Sequence, residues 1–168
     1  MDAPSLKKLQ EPLKAKYKAE PETALITLKA RSRVGEGVTC KIETGKMMAE
    51  AGLHWATGGD GLAVCSGDML LEALAACAGV TLSAVATATG FALTDAHVHV
   101  EGDIDFRGTL SVDKTAPVGF KDIRLRFEIK STETEEKTAN LIRLTERYCV
   151  VYQTLATANK IPVSIDKQ

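Results

Sequence analysis

Between Glu72 and Asp95 the chain runs for 22 residues without a formal charge, ALAACAGVTLSAVATATGFALT. A run this long must be hidden from water, in a bilayer or in a protein core. Its composition separates the two. Ala, Thr, Gly and Ser dominate, and no Lys or Arg stands close enough to anchor or orient it in a membrane. A buried helix is expected instead, from about Ser66 to about Thr89. Ser66 is the expected N-cap. Asp68 puts a negative charge in the first turn, where the helix dipole favours it. Gly90 suits the left-handed stop at the C-terminus. The rest of a 168-residue chain must cover this helix.

Much of the rest alternates between apolar and polar. TALITLKARSRV and GVTCKIETGK read as strands, with Gly35-Glu36-Gly37 as the hairpin turn. MMAEAGLHWATGGDG reads as a loop whose glycines serve turns, since no GK[ST] follows them. After the central helix, Ala96, Val98, Val100, Ile104, Phe106, Leu110 and Val112 share one parity. His97, His99, Glu101, Asp103, Asp105 and Arg107 take the other. That pattern predicts strand with one dry and one wet face. FKDIRLRFEIK repeats it, with Ile123, Leu125, Phe127 and Ile129 inward. STETEEKTANLIRLTERY predicts a helix with an acidic first turn, VVYQTLATA a further turn or two, and KIPVSI a short closing strand. At the front, Leu6, Leu9, Leu13 and Tyr17 keep helical spacing, with Pro12 as a weak point or break. Residues 1–22 are expected to form a helical arm docking by one face, and 23–168 the domain. Segregated antiparallel strands around buried helices define an α+β class, not a doubly wound sheet.

Charge and termini narrow the function. A net charge of −1 carries no basic footprint for nucleic acid. The opening MDAPSLKKLQEPLK has no apolar core of a signal peptide. The four cysteines, Cys40, Cys65, Cys77 and Cys149, are scattered without a CxxC. Reduced thiols in the cytoplasm are therefore expected, without a disulfide scaffold. Cys65 and Cys77 flank twelve residues of expected helix, about 18 Å of rise, whereas a disulfide needs Cα atoms within about 7 Å. They cannot bond to each other within one chain.

Cys77 has Ala73, Leu74, Val80 and Thr81 as its helical neighbours, none charged. On these alone it reads as a packed thiol. Cys149 follows Arg147 and Tyr148 at a break and opens a short helix, where the dipole and the nearby guanidinium both favour a thiolate. On residue types, reactive and inert readings of Cys149 both stand. Cys40 and Cys65 read as inert. In HVHVEGDID, His97 and His99 leave the same strand face, as two zinc ligands would, but no third His or Cys converges on them. No metal site is expected there. His54 beside Trp55 reads as loop packing.

SGDMLLEALAACAGVTL resembles the central-helix motif of the OsmC/Ohr family, the osmotically inducible and organic hydroperoxide resistance proteins. RYCVVYQTL matches the family's second cysteine, near the start of a late helix. The element order agrees from about Thr23 onward. The resemblance implies an OsmC-like fold assembled as an intertwined homodimer, with the long helices buried centrally and two active sites at the interface. It implies reduction of organic hydroperoxides, with Cys77 as the attacking thiol and Cys149 as its resolving, disulfide-forming partner. It implies an external dithiol reductant, lipoyl groups among them, and no metal or organic cofactor. The family's thiolate-stabilising arginine falls on Arg31 or Arg33. These are expected to leave opposite strand faces, so that one turns inward. The glutamate that orients this arginine in the Ohr branch falls near Gly67, so the chain looks nearer the broad OsmC-like group. A non-enzymatic dimeric module binding an apolar ligand at the interface is the alternative on the same fold.

Overall fold

The computed structural model describes residues 3–34, 40–42, 51–61, 64–165 and 167. In chain order these form α1 (Ala3–Ala19), β1 (Leu25–Val34), β2 (Cys40–Ile42), β3 (Ala51–Gly52), β4 (Val64–Cys65), α2 (Ser66–Thr89), β5 (Leu93–Asp105), α3 (Phe106–Thr109), β6 (Phe120–Ser131), α4 (Glu135–Tyr148) and α5 (Val150–Ala156). Single 3-10 turns at Pro21–Ala24 and Trp55–Thr57 punctuate the first half. The class is α+β, with an antiparallel sheet in the order β2-β1-β5-β6 and a small parallel pair, β3 with β4.

The uncharged run forms α2 over the expected span. Its N-cap is Cys65 rather than Ser66, and the Cys65 side chain makes no capping hydrogen bond. Gly90 ends it in the left-handed region at φ 66°, its amide donating to the carbonyls of Ala86 and Thr87. By length and composition α2 could cross a bilayer. Here one side of it packs on the sheet. Leu71, Leu74, Ala75 and Ala78 meet Val98, Val100 and Ile104 of β5 in one apolar cluster. Leu82, Val85 and Ala86 meet Ala96 and Leu141 in a second. At Gly102 the layers approach closely: a Cβ there would lie 2.5 Å from the Phe120 ring and 3.2 Å from Leu71 Cδ2. The other side of α2 stays uncovered, with Leu70 and Val80 exposed and Cys77, Thr81 and Ala84 half-buried.

The alternation on β5 holds as far as Ile104. Beyond it the strand reading is corrected, because Phe106–Thr109 is helical. Asp105, placed on the wet face by parity, is buried. It caps α3 by accepting from the Arg107 amide at 3.1 Å and binds the same residue's Nη2 at 2.6 Å. These bonds hold its carboxyl below the ordinary range against the opposing effect of burial. On the wet face, Arg124 of β6 donates to Asp103 at 2.7 Å and to Asp122 at 2.8 Å. It thereby separates two carboxylates that the ladder sets directly opposite each other.

Three other boundaries move. The helix expected from residue 131 starts at Glu135, where Thr134 accepts from the Lys137 amide. The KIPVSI segment forms no strand, and Ile161, Val163 and Ile165 are 83–87% exposed. The loop around residue 50 includes the short β3. The turn Gly35-Glu36-Gly37 lies outside the described residues, though β1 and β2 pair antiparallel from Val34 opposite Cys40. At the front, α1 runs on through Pro12. It sinks Tyr17 into the main core, where the phenol donates to the buried Ala56 carbonyl at 2.7 Å.

Candidate functional site

Cys77 sits midway along α2, on the border between its covered and uncovered sides. Cys149 lies where α4 gives way to α5. Its extended backbone, φ −73° and ψ 106°, ends one helix and starts the next, and its amide still bonds the Thr145 carbonyl at 2.9 Å. The break turns α5 so that its first amides face the two sulfurs. The amide of Tyr152 donates to Cys149 Sγ at 3.5 Å. Those of Val151 and Val150 donate to Cys77, as does the hydroxyl of Thr81, one turn along α2. The Cys149 thiol is also hydrogen-bonded to Cys77.

This arrangement separates the acidities of the two thiols. Burial opposes ionisation of Cys77. The donors from Val151, Cys149, Thr81 and Val150 together outweigh it and draw the pKa below the ordinary thiol value. Cys149 is fully buried, and burial pushes its thiol up to about 11. The Tyr152 amide works against that rise, and the neighbouring Cys77 adds to it. The local reading of the sequence is reversed here: Cys77, with no charged helical neighbour, is the more acidic thiol. Cys149, at the helix start, keeps its proton. The donors on Cys77 come from a segment some seventy residues away, so its own neighbours along α2 give no sign of them, Thr81 excepted. At pH 7.5 iodoacetamide is expected to modify Cys77 well before Cys149. The pH midpoint for Cys77 should fall below that of an ordinary thiol. Rates read by peptide mass spectrometry check both.

A cleft of about 530 Å³ is walled by Leu74, Ile123, Leu125, Phe127, Tyr152 and Leu155, and neither cysteine is among its lining residues. Leu74 lies one turn before Cys77, and Tyr152 is the residue whose amide meets Cys149. Lys121, Asp122 and Glu146 stand among its lining groups.

Arg33 sits elsewhere, opposite His97 on the face of the sheet turned away from α2, and the ladder sets the Arg31 backbone opposite His99. Residues two apart share a strand face, so the expectation that these two leave opposite faces is corrected. Arg33 is exposed and donates to Asp95 at 3.2 Å. The side chain of Arg31 lies outside the described residues. His99 pairs with Glu128 at 3.2 Å. Among the described residues no group of three or more His, Cys, Asp or Glu side chains could hold a metal ion. Cys65 is a free thiol at the start of α2, and the Cys40 side chain is outside the described residues.

The model of the OsmC-like protein family matches residues 58–165, a span that holds both thiols. The fold is similar to the crystal structure of an OsmC-like hydroperoxide resistance protein from Jannaschia sp. CCS1. The TM-score is 0.59 at 18% identity, over 86% of this chain and 95% of that one. No curated protein matches the chain.

Proposed function

The chain belongs to the OsmC-like protein family, and from that premise we propose that it is a thiol-dependent peroxidase acting on organic hydroperoxides. The observation that carries this is the Cys77–Cys149 pair, one thiol made acidic and the other kept protonated beside it. The Cys77 thiolate attacks the terminal peroxide oxygen. The O–O bond breaks, the alcohol leaves with a proton, and Cys77 becomes a sulfenic acid. With the Cys77 charge gone, one cause of the high Cys149 pKa is removed. Cys149 then attacks the sulfenic sulfur, and its proton leaves with the hydroxyl as water. An external dithiol, lipoyl groups included, restores both thiols by exchange. The amides of α5 and the Thr81 hydroxyl take the stabilising part that the family gives to an arginine, and within one chain Arg33 stays with Asp95. The apolar wall of the cleft favours an organic substituent over hydrogen peroxide. A cytoplasmic location suits a cycle that ends in reduced thiols.

The working unit is a homodimer. Support comes from the uncovered side of α2, the edge of β6 that is unpaired among the described residues, and the exposed Ile161, Val163 and Ile165. Light scattering should report about twice the chain mass of 18.0 kDa. A value near the single-chain mass across micromolar concentrations would refute it.

The same cleft also supports the non-enzymatic module that holds an apolar ligand. One equivalent of cumene hydroperoxide separates the two. Rapid loss of two thiols per chain is the enzyme's result, and four unreacted thiols would overturn it.

A further inference from the structure

A second cavity, of about 380 Å³, opens at the start of α2. It is walled by Leu53, Leu70, Ile104, Phe106 and Phe120, and His54, Thr57 and Cys65 also line it. Cys65 and Cys77 are separated by about 18 Å of helix rise, so this space is distinct from the thiol pair. His54 is 8% exposed, with its ring stacked on Phe106 at 4.9 Å between centroids. Its Nδ1 accepts from the Ala56 amide at 3.1 Å. The proton of the neutral ring is therefore on Nε2. Among the described residues Nε2 has no hydrogen-bond partner, although a buried donor without one is costly.

We propose that this cavity is a second ligand site, taking a small, uncharged, largely apolar molecule with one oxygen acceptor, such as a ketone or ester, that receives the His54 Nε2 proton in a hydrogen bond. Size and lining suit such a molecule: an apolar pocket with one well-placed donor orients a ligand through a single polar atom. Charge decides against the ionic alternatives. Burial pushes the imidazole below its usual range, with nearby Asp68 pulling it partly back, so the ring offers a donor and no positive charge. Asp68 acts on His54 without lining the cavity, and the polar group that His54 presents there is a neutral N–H, which calls for an uncharged acceptor.

Cys65 lines the cavity and serves as its reporter. In the full-length protein, N-ethylmaleimide labelling is followed at each cysteine by peptide mass spectrometry, with 2-octanone, octanoate or octylammonium added. Saturating 2-octanone should slow labelling of Cys65 at least about tenfold, a protection that octanoate and octylammonium of equal chain length should not match. His54→Phe keeps an aromatic ring against Phe106 and removes the donor. It should raise the half-protecting concentration about tenfold, the loss of one hydrogen bond to a buried group. Val118→Trp alters an exposed lining residue, so the fold survives, and it should abolish protection by occluding the entrance. Equal protection of Cys65 in Val118→Trp, equal protection by either ion, or protection confined to Cys77 would each overturn the assignment. So would an undiminished response in a folded His54→Phe protein.

Discussion

Cys77→Ser should abolish hydroperoxide consumption, while Cys149→Ser should leave the first oxidation within about tenfold of its original rate. The asymmetry follows from where the donors point. The amides of Val150 and Val151 and the Thr81 hydroxyl converge on the Cys77 sulfur. A serine hydroxyl there cannot ionise near neutral pH, so no nucleophile remains. At position 149 the thiol contributes one donor to Cys77. A serine hydroxyl supplies the same donor, so Cys77 remains acidic. What Cys149→Ser removes is the sulfur that condenses with the sulfenic acid. The oxidised Cys77 should then persist, advance to sulfinic acid or capture an added thiol. Intact-mass spectrometry separates the cases: the original protein loses two hydrogens, and the Cys149→Ser protein gains oxygen. Arg33→Met should leave both steps unchanged, since its guanidinium is held by Asp95 on the far face of the sheet. Oxygen gained by the Cys77→Ser protein, with Cys149→Ser unmodified, would reverse the roles.

Sequence patterning reached some of this structure and stopped short of the rest for definite reasons. The uncharged run specified α2 almost to the residue, because a long apolar stretch without breakers has few other forms. The period of two on β5 separated Val98 and Val100 from His97 and His99, as the ladder does. Asp105 defeated the same rule. A carboxylate is assigned to water by parity, but here its partners lie two residues onward, where Arg107 folds back on it. The KIPVSI segment has the alternation of a strand, yet strand formation requires a neighbour, and the chain offers it none among the described residues. The order of the two thiol acidities was the least accessible feature. It depends on amides that the break at Cys149 turns onto a sulfur on another helix. A local count of charges and helix ends therefore pointed to the opposite order of acidity. His54 is a similar case. One histidine beside a tryptophan in a glycine-rich loop carries no sign that it will be buried against Phe106.

Tyr17→Ala should destabilise the protein by about 4 kcal/mol, the cost of removing a large aromatic side chain from a packed interior. Leucines at helical spacing among lysines described α1 as an arm docking by one face, and such a face usually contributes little. The structure makes one residue of it a core residue. Tyr17 is 2% exposed and belongs to the apolar cluster that holds Leu71, Val100, Phe106 and Cys149. Its hydroxyl donates to the Ala56 carbonyl, in a residue that is itself fully buried. Tyr17→Phe isolates that bond. It keeps the ring and strands the carbonyl, and should cost about 1–2 kcal/mol. Against a total stability of roughly 5–15 kcal/mol, the alanine change takes a large share. Urea unfolding of the three proteins, compared at equal slope, measures both differences. A Tyr17→Ala cost below about 1 kcal/mol would place α1 outside the cooperative unit. The expected cost would instead make the α1 helix a part of the core against which α2 holds Cys77.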